Sequence, residues 1–296
     1  MVHVIDLHFC GTQQTIGAFL VESQEGPILV ETGPYSTFPQ LERSINDLGY
    51  QIGDIKHVLL SHIHLDHAGA AWALAKAGAK VYVHPFGAKH LLDPSKLMSS
   101  AKRIYQDQMD SLWGRMEAIP RDQLIEVADQ AVFQFGERRF VAWHTPGHAV
   151  HHIAWQLEDI LFSGDVAGVK IGANGPIVPP CPPPDINVED WQASIQLVKS
   201  LPLKAMYLTH FDKITNVREH LDQLEATILS WANWIRPYFE QGTPIPEIVP
   251  AFEKFVKKSL VEQGLKAEEL LQYEIANPSW MSVAGLVRYW KKRSQN

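Results

Sequence analysis

The chain has 296 residues, with Lys+Arg 26 against Asp+Glu 33 and a formal charge of -7 at pH 7. At 46% hydrophobic and 20% charged residues it has a globular composition, which excludes a disordered, collagenous or coiled-coil chain. The acidic balance removes the usual electrostatic basis for nucleic-acid binding. Two cysteines, Cys10 and Cys181, cannot build a disulfide framework, and no apolar run reaches the roughly 18 residues of a membrane span.

The start carries no basic segment followed by a long apolar run, so no signal peptide is expected and a cytoplasmic location is the expectation. Ile16 to Val21 and Pro27 to Glu31 read as strands around a polar turn. Phe38 to Leu48 has helical spacing at Leu41, Ile45 and Leu48, with Gly49 as its stop. Lys56 to Ser61 is a short buried strand, Ala68 to Ala79 an Ala-rich helix packed on a sheet, and Lys80 to His84 another strand. Leu91, Leu97, Ile104, Met109, Leu112, Trp113 and Met116 are then spaced for a helical insertion, about residues 86–130, lying over one end of the sheets.

Strands resume at Ala131 to Phe135, Phe140 to His144, His152 to Gln156 and Ile160 to Phe162. The prolines between Gly172 and Asp185 forbid regular structure there. Glu189 to Leu201 reads as a helix, Lys204 to Thr209 as a strand, and Val217 to Arg236 as a long helix that Pro237 helps to end. The chain thus divides into residues 1–243 and a helical C-terminal extension, residues 244–296. Short strands in two blocks with helices between and after them predict an α/β (α+β) protein whose sheets carry helices on their outer faces.

The 14 histidines matter for their placement. His62-Ile63-His64-Leu65-Asp66-His67 follows directly on a strand, putting four metal-binding side chains into six residues. As a mere polar turn, those side chains would each need a local partner. Three more positions stand where a strand is expected to end. They are His148 in His144-Thr145-Pro146-Gly147-His148, Asp165 in Phe162-Ser163-Gly164-Asp165, and His210 in Tyr207-Leu208-Thr209-His210. Such a set of imidazoles and carboxylates, with no thiolate, suits two divalent ions of the zinc, iron or manganese type.

These pieces, SHIHLDH, TPGH, SGD and LTH in that order, make roughly residues 12–235 resemble the metallo-β-lactamase superfamily, and within it the glyoxalase II-like (hydroxyacylglutathione hydrolase-like) branch. The resemblance implies a four-layer αβ/βα sandwich with metals in a groove at one edge. It implies His62, His64 and His148 at a first metal, Asp66, His67 and His210 at a second, and Asp165 between them. Two divalent ions, zinc foremost and iron or manganese as alternatives, would then lower the pKa of a bridging water toward about 7. The hydroxide attacks a carbonyl whose oxygen one metal polarises. Asp66 is the catalytic group that holds the hydroxide or passes its proton to the leaving group. By position His152 supports the TPGH loop, while His57 and His84 read as structural. Glu31 stands where the family has an aspartate in a structural turn.

The activity implied is metal-dependent hydrolysis of a small thioester, ester or lactone. β-Lactamases of this fold have cysteine where this chain has Asp165. Lactone hydrolases have tyrosine at the position of Gly168, and glutathione-thioester hydrolases have tyrosine at that of Asp212. The basic run Arg288 to Arg293 reads as a solvated helix end. The alternative is a mononuclear-iron persulfide dioxygenase using the positions of His62, His148 and Asp165. A phosphodiesterase or nuclease ranks below both because of the acidic charge. The expected partner is a small carbonyl substrate, with no nucleic acid and no membrane, and the apolar C-terminal helices suit a homodimer. Met109, Trp113, Met116, Ile171 and Ile177 are candidates for an apolar acyl pocket, with ordinary packing beneath a lid as the other reading.

Overall fold

The computed structural model describes residues 1–172, 174–211 and 213–295, so Asp212 lies outside them. A first sheet contains β1 (Val2–Asp6), β2 (Gly17–Val21), β3 (Ile28–Val30), β4 (His57–Leu59), β5 (Lys80–Val83) and β6 (Leu124–Glu126) in that spatial order. Its first three strands are antiparallel, and β3 to β6 run parallel. The second sheet contains β7 (Val132–Phe135), β8 (Arg138–His144), β9 (Ile153–Leu157), β10 (Ile160–Gly164), β11 (Ala205–Leu208) and β12 (Lys213–Ile214), ordered β12-β11-β10-β9-β8-β7. Only its β10/β11 pair is parallel.

The two-residue period of a strand explains why these runs are apolar throughout. In β2, Phe19 and Val21 belong to the core between the sheets, whereas Ala18 and Leu20 pack under the helices outside. The same division separates Ile28 and Val30 from Leu29, Phe162 from Leu161, and Tyr207 from Met206 and Leu208. Trp155 Nε1 donates to the Leu60 carbonyl at 2.9 Å, tying the second sheet to the chain leaving β4.

Helices Phe38–Asp47, Ala71–Lys76 and Pro85–Leu92 share the outer core of the first sheet. Helices Val188–Ser200, Val217–Glu240, Ile245–Glu262 and Ser279–Arg293 share that of the second. The result is a four-layer αβ/βα sandwich with a helical insertion and a helical C-terminal extension. Phe252, Val283 and Leu286 of the extension are buried in the same core as Trp191, Leu224 and Trp231.

Several element boundaries differ from the expectations. The expected insertion contains β6, a three-residue strand too short to show alternation. The Ala-rich helix is split into Leu65–Ala68 and Ala71–Lys76. A Cβ at the intervening Gly69 would lie 2.4 Å from the Leu65 carbonyl and 2.9 Å from Pro34 Cα. Pro237 does not end its helix, which runs on to Glu240. The missing donor costs one turn's bond, while Trp234 stacking on Tyr238 (4.8 Å) spans the proline.

His220, buried on helix Val217–Glu240, donates from Nε2 to the Ala167 carbonyl at 2.7 Å, and burial pushes its pKa down to about 4. Between the ordinary 6.5 and 4 the unfolded chain binds a proton that the folded one refuses. The group's stabilising contribution is therefore full above pH 6.5 and drains away as pH falls toward 4, by about 3 kcal/mol at most. His220→Gln keeps a donor for Ala167 without the titration. Its urea midpoint should fall less than the parent's between about pH 7.5 and about pH 5. Parallel slopes would assign the acid sensitivity to other groups.

Candidate metal centre

Each ligand-type side chain stands just beyond the C-terminal end of a strand, on one edge of the sandwich, where open α/β sheets bind ligands. The hexad follows β4, His148 follows β8, Asp165 follows β10 and His210 follows β11. Two glycines make the approach sterically feasible. Gly164 has φ +51°, and a Cβ there would lie 2.5 Å from Ser61 Cβ and 2.6 Å from His152 Nε2. Gly147 has φ +134°, and a Cβ would lie 2.3 Å from Trp191 Cα.

Three overlapping groups of donor atoms result: His62/His64/His148 first, Asp66/His67/His210 second, and His62/His67/Asp165 joining them, with Asp165 reaching both. In the first, His62 Nε2 lies 2.9 Å from His64 Nδ1 and 3.2 Å from His148 Nε2, and the latter two nitrogens are 3.0 Å apart. In the second, Asp66 Oδ2 is 3.6 Å from His67 Nε2 and 3.4 Å from His210 Nε2. Asp165 Oδ2 is 3.2 Å from His148 Nε2, while its Oδ1 is 3.3 Å from His67 Nε2 and 3.5 Å from His210 Nε2.

The surroundings fix which nitrogen of each ring faces inward. His148 Nδ1 is 2.8 Å from the Pro180 carbonyl, and His210 Nδ1 is 2.7 Å from the Thr15 carbonyl. A carbonyl only accepts, so both Nδ1 atoms carry a proton, and the neutral ring at either position turns its Nε2 lone pair to the cluster. His62 Nδ1 lies 2.9 Å from Ser61 Oγ. The Asp165 backbone N–H donates to His152 Nε2 at 3.0 Å, and His152 Nδ1–H donates to Thr145 Oγ1 at 2.8 Å. His152 thus holds the turns that carry both Asp165 and His148.

Burial, then the neighbouring His67, His64 and His148, push His62 well below its usual range. Burial and then His148 push His64 down to about 3. Both are kept in the neutral, ligating form. For His67 and His210 burial opposes charge, yet Asp165 and Asp66 outweigh it and raise both. Burial likewise disfavours the Asp165 carboxylate, but His67 and His148 hold it well below the usual carboxylate range. His67 Nε2 and Asp165 Oδ1 are buried without a hydrogen-bond partner. Converging imidazoles, two carboxylates and these orphaned atoms fit divalent ions bound through nitrogen and oxygen, the ions taking the place of the protons that the carboxylates favour on His67 and His210.

Glu31, at φ +64°, is buried with Oε1 3.3 Å from His67 Nδ1, while its Oε2 accepts from the Ser61 N–H at 3.4 Å. A carboxylate behind a ligating imidazole fixes its orientation and basicity. Glu31→Gln should weaken metal uptake at the His67 group about 10–100-fold in a chelator competition. Parental affinity would leave Glu31 a turn residue only.

A cavity of about 440 Å³ opens over the cluster, with His64, Asp66, His148, Asp165 and His210 on its floor. Of the expected pocket residues, Trp113 lines it. Met109 and Met116 are buried in the core of the first sheet, and Ile171 and Ile177 in that of the second, so none of these four lines it. Their apolar side chains serve core packing, and Met116, Ile171 and Ile177 do so from segments outside any helix or strand. The cavity is instead completed by Phe9, Tyr105, Pro180 and Trp280, from segments far apart in sequence that carry no shared motif. His57 Nδ1 lies 3.0 Å from Tyr82 Oη, and His84 caps helix Pro85–Leu92 by accepting from the Phe86 N–H.

A sandwich of this layering with histidine and aspartate groups at one edge is the architecture of a known family of metal-binding proteins. The chain belongs to the metallo-beta-lactamase superfamily, whose model matches residues 15–210. It is 30% identical over 190 residues to the metallo-beta-lactamase fold-containing protein ST1585 of Sulfurisphaera tokodaii, covering 62% of this chain and 71% of that one. It is 27% identical over 207 residues to Thioesterase pkgB of Emericella nidulans, covering 69% of this chain but 48% of that protein. The structure of metallo-beta-lactamase family protein TTHA1429 from Thermus thermophilus superposes with a TM-score of 0.65 at 20% identity. That match covers 99% of this chain and 94% of the other, a likeness of fold that takes in the C-terminal helices.

Proposed function

We propose that the protein is a metal-dependent hydrolase of the glyoxalase II-like kind, holding two divalent ions, zinc foremost, and cleaving a small thioester, ester or lactone. The observation that carries the reading is Asp165, whose two oxygens face different donor groups, as a carboxylate shared by two ions would. Divalent ions held there would supply an activated water at neutral pH and polarise a carbonyl oxygen.

The chain's own residues account for the rest. His62, His64, His148 and Asp165 would hold one ion, and Asp66, His67, His210 and Asp165 the other. Asp66 also lines the cavity, so its carboxylate is placed to hold the proton of the attacking water and return it to the leaving group. In balance, water adds its oxygen to the carbonyl carbon, the C–S or C–O bond breaks, and the thiol or alcohol departs with the proton. Cys181 is buried and burial holds it as a thiol, while the exposed Cys10 at the cavity wall has its thiol pKa raised rather than lowered, so neither is activated as a thiolate. The thioesterase name of one relative accords with this chemistry.

Plasma mass spectrometry of the purified protein, followed by a thioester, ester and lactone panel, tests the reading. About two ions per chain with metal-dependent turnover is the expected result. About one iron with oxygen uptake on a persulfide would replace it with the dioxygenase.

A further inference from the structure

We infer that the chamber above the ligand cluster selects an uncharged apolar acyl or aryl group, and that the C-terminal turn bearing Trp280 sets this selection. The chemistry rests on the hydrolase reading, whereas the selection rests on the chamber walls.

Four aromatic side chains from three parts of the chain meet there. Phe9 stacks on Trp113 (5.3 Å, 25°), Tyr105 meets the edge of Trp113 at 5.1 Å, and Tyr105 meets Trp280 at 6.1 Å. The extension contributes both Trp280 and Met281, and Tyr105 Oη reaches Met281 Sδ at 3.9 Å. The turn is held from within, since Glu274 accepts from the Ser279 N–H at 2.9 Å and from Ser279 Oγ at 2.8 Å. Asn277 Nδ2 donates to the Pro179 carbonyl at 3.1 Å, so it too is engaged with the scaffold. Trp280 is therefore presented by a braced segment.

Charge decides what fits. Among the described residues no lysine or arginine lines the cavity, while Glu274 adds a carboxyl to those of Asp66 and Asp165. An anionic group seated against the chamber walls, away from the ligand cluster on the floor, would lose its water and meet no lysine or arginine there. Succinyl, phosphorylated or glutathionyl groups are thereby disfavoured inside it. A benzoyl or medium-chain acyl group would instead replace wall–water contacts with stacking and apolar burial. The volume of about 440 Å³ is within the range of small-molecule sites.

The test uses metal-loaded full-length protein and thioesters of one neutral thiol, N-acetylcysteamine, carrying benzoyl, octanoyl or succinyl groups. Benzamide and octanamide serve as probes that cannot turn over, read by quenching of tryptophan fluorescence. Benzoyl and octanoyl thioesters should exceed the succinyl thioester in kcat/KM by about 100-fold. Trp280→Ala should raise KM for the benzoyl thioester and weaken amide binding about tenfold, with parental metal content. Met281→Lys places a cation in the wall and should raise the succinyl-to-octanoyl ratio. Equal turnover of succinyl and octanoyl thioesters, or amide binding indifferent to both substitutions, would overturn the selection while leaving the hydrolase intact. Amide binding that responds to both substitutions, with no thioester cleaved, would retain the chamber and remove the hydrolase.

Discussion

Asp165→Ala should lose metal from both donor groups at once and lower kcat/KM by about 10³-fold or more, the largest effect expected of any single side chain here. The reason is geometric. Its Oδ2 lies 3.2 Å from His148 Nε2 and its Oδ1 lies 3.3 Å from His67 Nε2, so one truncation removes a donor from each group. Replacing His210 would touch only one group. The fold should survive, because the contact that holds this turn is the Asp165 backbone N–H donating to His152, which the substitution keeps. Asp165→Asn retains shape and one acceptor oxygen but loses the charge, and should lie between parent and alanine in metal content. Metal analysis on folded variant, confirmed by circular dichroism, reads the result. Two ions per chain with parental activity would remove Asp165 from the bridge.

The convergence of these histidines and aspartates was legible in the sequence because the pattern is local. His62 to His67 form a contiguous run, and His148, Asp165 and His210 each follow a strand short enough to be recognised by its apolar content. The layered fold was legible for a related reason, since strands buried on both faces are apolar throughout. The cavity was not. Met109 and Met116 stand at a helical interval in the sequence whether they line a substrate or a core, and here both are buried in the core of the first sheet, Met116 from a segment past the end of its helix. Phe9, Tyr105 and Trp280 are brought together only by tertiary packing, and nothing in their neighbouring residues announces it. Glu31 could be placed at its turn but not given a partner, because His67 reaches it across 36 positions of folded chain.

The second large effect should come from a residue that touches neither metal ligand nor cavity. Gly285 sits in helix Ser279–Arg293, where a Cβ would lie 1.9 Å from the Cys181 carbonyl and 3.0 Å from the Pro182 carbonyl carbon. The helix therefore presses directly on the backbone of the proline loop. That loop is pinned on the same side by Tyr273, whose Oη accepts from the Ile171 N–H at 3.0 Å and donates to the Pro176 carbonyl at 2.8 Å. One residue before Cys181, the Pro180 carbonyl accepts from His148 Nδ1–H. Gly285→Val must move the helix or the loop, because backbone cannot yield as a flexible side chain does. Overpacking of this kind costs about 3 kcal/mol. A displaced loop also takes the Pro180 carbonyl away from His148, freeing the ring to rotate or to protonate the wrong nitrogen. Metal affinity of the folded protein should then fall about 10–100-fold, as it does when the group behind a ligating histidine is lost. Gly285→Ala should produce a smaller change of the same kind. A lowered melting temperature with parental metal affinity would make the C-terminal extension a packing element alone. The paired loss would make it the outer brace of His148.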